Sequence, residues 1–225
     1  MSFLERITDG LKLYEVLMLG FGSLMFLVML ALLIVFVVQK RPLKQLLFYF
    51  IIPVIMLGWS SLQKIKIDGK GIELDKTIAE YQVDSTTNKQ HLEDLVNDIK
   101  SHDVKDPAVR KNIALAQFLL GKKDESIKTI ESLPPEQKHD KTILDIQHSI
   151  SISDALKNQI VTVQNNPTDS NALKKLNEIN AQATSLEIKN TEVITNTKIA
   201  DQKITEYQRI NPRVDIRKTL VQPHH

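Results

Sequence analysis

Leu17-Met18-Leu19-Gly20-Phe21-Gly22-Ser23-Leu24-Met25-Phe26-Leu27-Val28-Met29-Leu30-Ala31-Leu32-Leu33-Ile34-Val35-Phe36-Val37-Val38 runs for 22 residues without a charge. A hydrocarbon core of roughly 30 Å takes about 20 helical residues, so this run is long enough to span a bilayer. A basic break follows, Gln39-Lys40-Arg41-Pro42-Leu43-Lys44, and then a second apolar run that reaches spanning length over 43–62 and carries Pro53 inside it. Membrane helices tolerate an internal proline better than soluble ones do. Two spans (17–38 and 43–62) joined by so short a connection predict an antiparallel transmembrane hairpin over 17–62.

Around that hairpin the composition is plain. The chain has 225 residues, with Lys+Arg 29 against Asp+Glu 27 and no cysteine. Near balance of charge predicts no strongly basic or acidic partner. Without cysteine there are no disulfides, thiolate metal sites or cysteine nucleophiles. From Asp75 onward the aromatic residues are Tyr81, Phe118 and Tyr207, too few for the stacking platforms of single-stranded nucleic-acid binders. These features predict an elongated helical arm packed with Ile, Leu and Ala, and no nucleic-acid partner.

Ahead of the hairpin, residues 1–16 carry a capping pattern, Ser2-Phe3-Leu4-Glu5, and apolar residues at Phe3, Leu4, Ile7, Leu11 and Tyr14. The spacing predicts an amphipathic lead-in suited to the membrane interface. Lys40, Arg41 and Lys44 concentrate positive charge in the connection, which predicts that the connection faces the cytoplasm and the arm lies outside it. The flanks carry more basic residues in total (Arg6, Lys12, Lys64, Lys66, Lys70 and Lys76), which points the other way. Taking the denser cluster as topology determinant places the protein in a membrane, as in a bacterial inner membrane, with an extracytoplasmic arm. Gly20-x-Gly22-Ser23 offers a small-residue patch where helices can approach closely.

After the spans, Ile65, Ile67, Ile72 and Leu74 flank Asp68-Gly69-Lys70-Gly71. Alternation about a glycine-bearing turn reads as a short β-hairpin, with a plain linker over 63–74 as the other reading. From 75 to 212 the pattern is helical. Leu92, Leu95, Val96 and Ile99 recur at helical spacing, and Asp106-Pro107 pairs a capping residue with proline at the first helical position. Gly121 suits a C-terminal cap. Pro134-Pro135 and Asn166-Pro167 are stops, with a helix from Glu136 between them.

Over 172–207 a three-four step links Ala172, Leu176, Ile179, Ala183, Leu186, Asn190, Val193, Thr197, Ala200, Ile204 and Tyr207. Such a seam suits coiled-coil packing, in which a buried Asn sets register or partner number. The same seam also suits a long helix packed on its own neighbours. Leu176, Leu186, Asn190, Val193, Ile204 and Tyr207 are the candidate oligomer positions. Residues 213–225 read as a flexible basic tail.

Pro107-Ala108-Val109-Arg110-Lys111-Asn112-Ile113-Ala114-Leu115-Ala116-Gln117-Phe118-Leu119-Leu120-Gly121-Lys122-Lys123-Asp124-Glu125-Ser126-Ile127-Lys128-Thr129-Ile130 resembles one tetratricopeptide repeat, within 107–135. In that pattern a small residue of the first helix, here Ala114, faces a small residue of the second, and Ser126 stands where alanine is usual. Ile204 to Pro212 is similar to the end of a repeat's second helix. The resemblance implies a concave helical surface that binds a segment of another protein. Ala114, Phe118, Ile127 and Ile130 are then candidate partner-binding positions, or the repeat's core.

Little else carries chemistry. Glu136 with His139, and Asp145 with His148, put a carboxylate three residues before a histidine, a spacing used in di-metal bundles; both read as solvated faces. No phosphate-cradling glycine loop or nucleophile signature is present. The expectation is all-α: a transmembrane hairpin followed by a tetratricopeptide-like soluble domain, with no catalysis, cofactor or metal. Function is expected to be that of a membrane-anchored scaffold or adaptor for a protein partner. The alternative is a structural subunit of a multimeric membrane assembly, a homo-oligomer formed through the 172–207 seam and the hairpin.

Overall fold

The computed structural model describes residues 7–40, 44–102 and 104–211. The Ser2–Glu5 capping pattern, Arg41 and the basic tail lie outside the described residues. Among the described residues the fold is all-α, with no strand. The helices are α1 (Leu13–Val38), α2 (Lys44–Val83), α3 (Lys89–Lys100), α4 (Pro107–Leu119), α5 (Lys123–Glu131), α6 (Lys141–Asn165), α7 (Ser170–Ser185) and α8 (Thr191–Ile210), with a 3₁₀ turn over Pro135–His139. The chain divides into two compact units, Met1–Asn112 and Ile113–His225.

In the first unit α1 and α2 form an antiparallel hairpin. The buried Ser60 hydroxyl donates to the Glu15 carbonyl (3.0 Å), and Phe26 meets Phe50 edge to face at 5.4 Å. Gly22 lies at the tightest point: a Cβ there would sit 3.0 Å from the Met56 Cβ. Of the small-residue patch it is thus Gly22 that lets the helices close, while Gly20 has open space around it. Glu15 is buried, and its carboxylate reaches back to the Lys12 N–H (2.8 Å), satisfying a donor that the first turn leaves orphaned.

The stretch 63–74 is helical throughout, not a strand pair or linker. α2 runs 40 residues without interruption. The physical reason lies in the spacing. Ile67, Leu74 and Tyr81 stand seven apart and are all buried, so one helical face has something to pack on along its whole length. Part of that covering is the lead-in. Gly10, at φ +77°, sits so close to Ile67 that a Cβ would be 2.8 Å from its Cγ2. Beside it the buried Asp9 carboxylate accepts the backbone N–H groups of Lys105 and Asp106. The described part of the lead-in is therefore held against its own unit.

Further along, α3 packs antiparallel on α2. Lys70 pairs with Asp98 (2.5 Å) and His91 Nε2 lies 3.3 Å from Glu73. Leu92, Leu95, Val96 and Ile99, the face read from the sequence, are buried. The turn between the helices is organised by Asp84, whose carboxylate accepts the hydroxyls of Thr86 and Thr87, each at 2.7 Å.

The second unit opens with a helical hairpin from Ile113 through α5. Gly121 takes φ +80°, and Lys122 N–H returns to the Gln117 carbonyl (2.8 Å) while Gly121 N–H meets that of Phe118 (3.0 Å). This is the glycine-terminated reversal that closes a helix by satisfying its last carbonyls. Across it the Ser126 hydroxyl, fully buried, donates to the Ala114 carbonyl at 2.8 Å. The helix expected from Glu136 starts later, because Asp140 caps α6 through the Thr142 N–H (2.9 Å) after the 3₁₀ turn. α6, α7 and α8 then pack on one another. Their contacts are fixed by buried polar staples, Ser149 Oγ to the Ile188 carbonyl and Gln159 Nε2 to the Ala172 carbonyl. Each such bond satisfies a buried group that would otherwise cost about 1–3 kcal/mol.

Candidate interaction surface on the second helix

The two faces of α2 are dressed differently. Leu46, Pro53, Ser60, Ile67, Leu74 and Tyr81, seven residues apart, are all buried. A straight helix would rotate such a row by ~20° per heptad, so a strict seven-residue burial pattern marks coiled-coil-like packing against the elements that cover it. The opposite face repeats with the same period and is bare.

Within the apolar run that face carries Phe48, Ile51, Ile55 and Gly58, all exposed. The run is apolar all round, as a buried or membrane-spanning helix is. Beyond the run the row continues as Leu62, Ile65, Gly69, Ile72, Lys76, Ala79 and Val83, again all exposed. Here the exposed apolar residues stand outside the apolar run. Ile72 and Val83 stand about 15 and 30 Å past Leu62 along the helix axis, among charged residues. Their exposures are 75% and 91%, and that of Ile65 is 66%.

Charges border this strip. With Leu62, Gly69, Lys76 and Val83 as one seam position and Ile65, Ile72 and Ala79 as the other, the edges hold Lys66, Asp68, Glu73, Asp75, Glu80 and Gln82, all exposed. Four carboxylates against one lysine make the edges acidic. Within the strip Lys76 reaches Glu80 at 3.6 Å, and Lys64 pairs with Asp68 at 2.6 Å.

The positions singled out from the sequence lie elsewhere. Ala114, Phe118 and Ile130 are buried inside the second unit and Ile127 is half-buried, so they line no open groove. The 172–207 seam is not one helix, because α7 ends at Ser185 and α8 starts at Thr191. Leu176, Leu186, Asn190, Val193 and Ile204 are buried and Tyr207 is half-buried within the same unit. Asn190 caps α8, with its Oδ1 accepting the Val193 N–H (2.9 Å). Its burial goes with this cap and with the bond from its Nδ2 to the Phe118 carbonyl in the same unit. Lys40 ends α1 in the left-handed region at φ 53°, and Lys44 opens α2 and is exposed.

Compared with protein-family models, curated proteins and solved structures, the chain matches none. Its surface must therefore be read by its own chemistry.

Glu136 and His139 are both exposed, and Asp145 and His148 lie on α6 with His148 exposed. No group of three or more His, Asp or Glu side chains among the described residues is placed to hold a metal ion. A cavity of about 350 Å³ lies at the C-terminal ends of α6 and α8, lined in part by Val163, Pro167, Leu173, Tyr207 and Ile210. Lys203, Glu206 and the polar Gln164, Thr168 and Asn211 complete its lining.

The α2 strip was hidden from sequence reading by Gly69 and Gly71, which made 63–74 resemble a turn between strands. The signal that could have exposed it is the seven-residue step from Ile65 to Ile72 and from Ile67 to Leu74.

Proposed function

We propose that the protein is a membrane-anchored helical scaffold or adaptor, non-catalytic, whose helical arm engages another protein. One observation carries the anchor. α1 and α2 are long and apolar enough to cross a membrane, yet only 6% and 17% of their most apolar windows are buried within the molecule. The core helix of a soluble protein would bury its apolar face, and here that surface is left for another apolar phase. The short connection after α1, bearing Lys40, Arg41 and Lys44, supports a hairpin with that connection in the cytoplasm and the arm outside, as in a bacterial inner membrane.

Support for a repeat-like arm comes from the Ser126–Ala114 contact, where two small residues bring consecutive helices together as the tetratricopeptide resemblance requires. The burial of Leu176, Val193 and Ile204 within one unit supports an arm packed on itself over a seam shared between chains.

The test uses the absence of cysteine. Single cysteines at Ser132 and Gln39, both exposed, are labelled in intact cells with an impermeant maleimide. Labelling at Ser132 alone is the expected result. Labelling at Gln39 alone inverts the orientation, and release of the chain by alkaline carbonate sinks the anchor.

A further inference from the structure

The bare strip of α2 beyond the apolar run has the form of half a coiled coil. Its seam is Leu62, Ile65, Gly69, Ile72, Ala79 and Val83, broken by Lys76, and every one of these residues is exposed. The opposite face of the same helix is already covered with the same seven-residue period. A helix that twists to follow partners on one side presents the other side with the matching period.

A second copy of this chain does not fit it. On the proposed anchoring, which this step rests on, two copies in one membrane present α2 in the same direction. In a parallel pair, each edge residue just before a first seam position meets the edge residue five places further on in the partner. Asp68 would then face Glu73, Asp75 would face Glu80, and Lys76 would face Lys76. Each edge meeting occurs twice in the symmetric pair, and these like-charge meetings oppose self-pairing.

We infer that the outer face of α2 from Leu62 to Val83 seats one helix of a different protein, apolar along its seam, basic along both edges, and carrying a carboxylate opposite Lys76. The acidic edges supply the attraction and the register. The glycine at position 69 supplies a gap in the seam with nothing within 4 Å of its would-be Cβ, room for one large apolar side chain of the incoming helix. The apolar seam supplies the area: Ile65, Ile72 and Val83 are each more than three-fifths exposed, and docking would remove that surface from water. Attachment of this kind places the partner alongside the membrane-proximal part of the helix, parallel to its axis.

The experiment uses the full-length chain in lipid nanodiscs and two synthetic helices as probes. Both probes share one Leu/Ile seam with a glutamate opposite Lys76; one has lysine at all edge positions and the other glutamate. Binding is read by fluorescence anisotropy. The lysine-edged helix is expected to bind, to weaken with added salt, and to lose roughly tenfold or more in affinity on Ile72→Asp. The glutamate-edged helix is expected not to bind. Circular dichroism checks that Ile72→Asp keeps its helix content. The double variant Asp68→Lys, Glu73→Lys is expected to shift the preference toward the glutamate-edged probe, a reversal that unfolding cannot produce.

Equal binding of both probes, or binding of neither, overturns the inference. An intermolecular disulfide formed readily in membranes by Ala79→Cys also overturns it, in favour of self-pairing. Alkaline extraction keeps this separate from the anchoring: a chain that stays in the membrane but shows no charge preference sinks the partner and leaves the anchor standing.

Discussion

Asn190 Nδ2 donates to the Phe118 carbonyl at 3.1 Å, while the Asn190 Oδ1 accepts the Val193 N–H at 2.9 Å. One buried amide thus caps α8 and ties it to the end of α4 within the second unit. Asn190→Ala removes both bonds and is expected to destabilise the unit by about 1–3 kcal/mol. Asn190→Ser keeps a capping oxygen, loses the reach to Phe118, and should recover part of the loss. Denaturant unfolding followed by circular dichroism checks both, and a variant as stable as the parent would show that the tie contributes nothing.

The hairpin gives a sharper contrast. At Gly22 a Cβ would lie 3.0 Å from the Met56 Cβ and 3.4 Å from the Leu57 backbone N, whereas Gly20 has nothing within 4 Å. Gly22→Leu is therefore expected to part α1 from α2, and Gly20→Leu to leave them together. Disulfide yield between cysteines placed at Phe26 and Phe50 reports the separation. Equal yields in the two variants would contradict the packing described.

Asp9 and Gly10 fasten the lead-in. Asp9→Ala leaves the N–H groups of Lys105 and Asp106 without their acceptor, at about 1–3 kcal/mol for a buried donor. Gly10→Ala adds a methyl against Ile67 at a backbone conformation that alanine rarely takes. Both changes should speed amide hydrogen exchange at Lys105 and Asp106. Unchanged protection in Asp9→Ala would show that the carboxylate does not hold this segment.

A pH prediction follows from Asp84. The Thr87 hydroxyl first, then the Thr86 hydroxyl and the two backbone N–H groups, stabilise its carboxylate and hold it well below the usual carboxylate range. A group whose folded pKa is lowered contributes fully above its unfolded value and loses that contribution as pH falls through the folded one. The 84–88 turn should therefore keep its amide protection from neutral pH down past the ordinary carboxylate range near 3.8, and open only in stronger acid. Asp84→Asn should lose protection at Thr86 and Thr87 even at neutral pH. Loss of protection in the parent at pH 5 would count against the arrangement.

Much of this architecture was readable where one residue type has one physical use. Asp106-Pro107 starts α4, Gly121 reverses the chain, and Asn166-Pro167 ends α6, because capping, positive φ and a missing N–H each admit few residues. Patterns with two meanings failed. Ile65, Ile67, Ile72 and Leu74 alternate as a strand would, but on a helix the pairs fall on opposite faces, Ile67 and Leu74 inward, Ile65 and Ile72 outward. Leu186 to Asn190 keeps the three-four step while its backbone leaves the helix, since spacing alone does not register a break. Asn190-Thr191-Glu192-Val193 held the signal of a new start, an Asn whose side chain reaches the third residue on. The α2 strip stayed invisible for another reason: exposure is decided by which neighbours arrive, and a sequence does not state where they stop.

The continuity of α2 has a mechanical consequence. A helix that passes from the apolar run to Val83 without a loop has no joint at which to absorb a change of slope. About 30 Å of it lies past Leu62, so a change of ~10° in tilt, well inside the range membrane helices adopt, swings its far end by about 5 Å. On the proposed anchoring the bilayer would hold one end of this rod and Val83 the other, so that thinning or thickening of the lipid would be felt as displacement at the far tip.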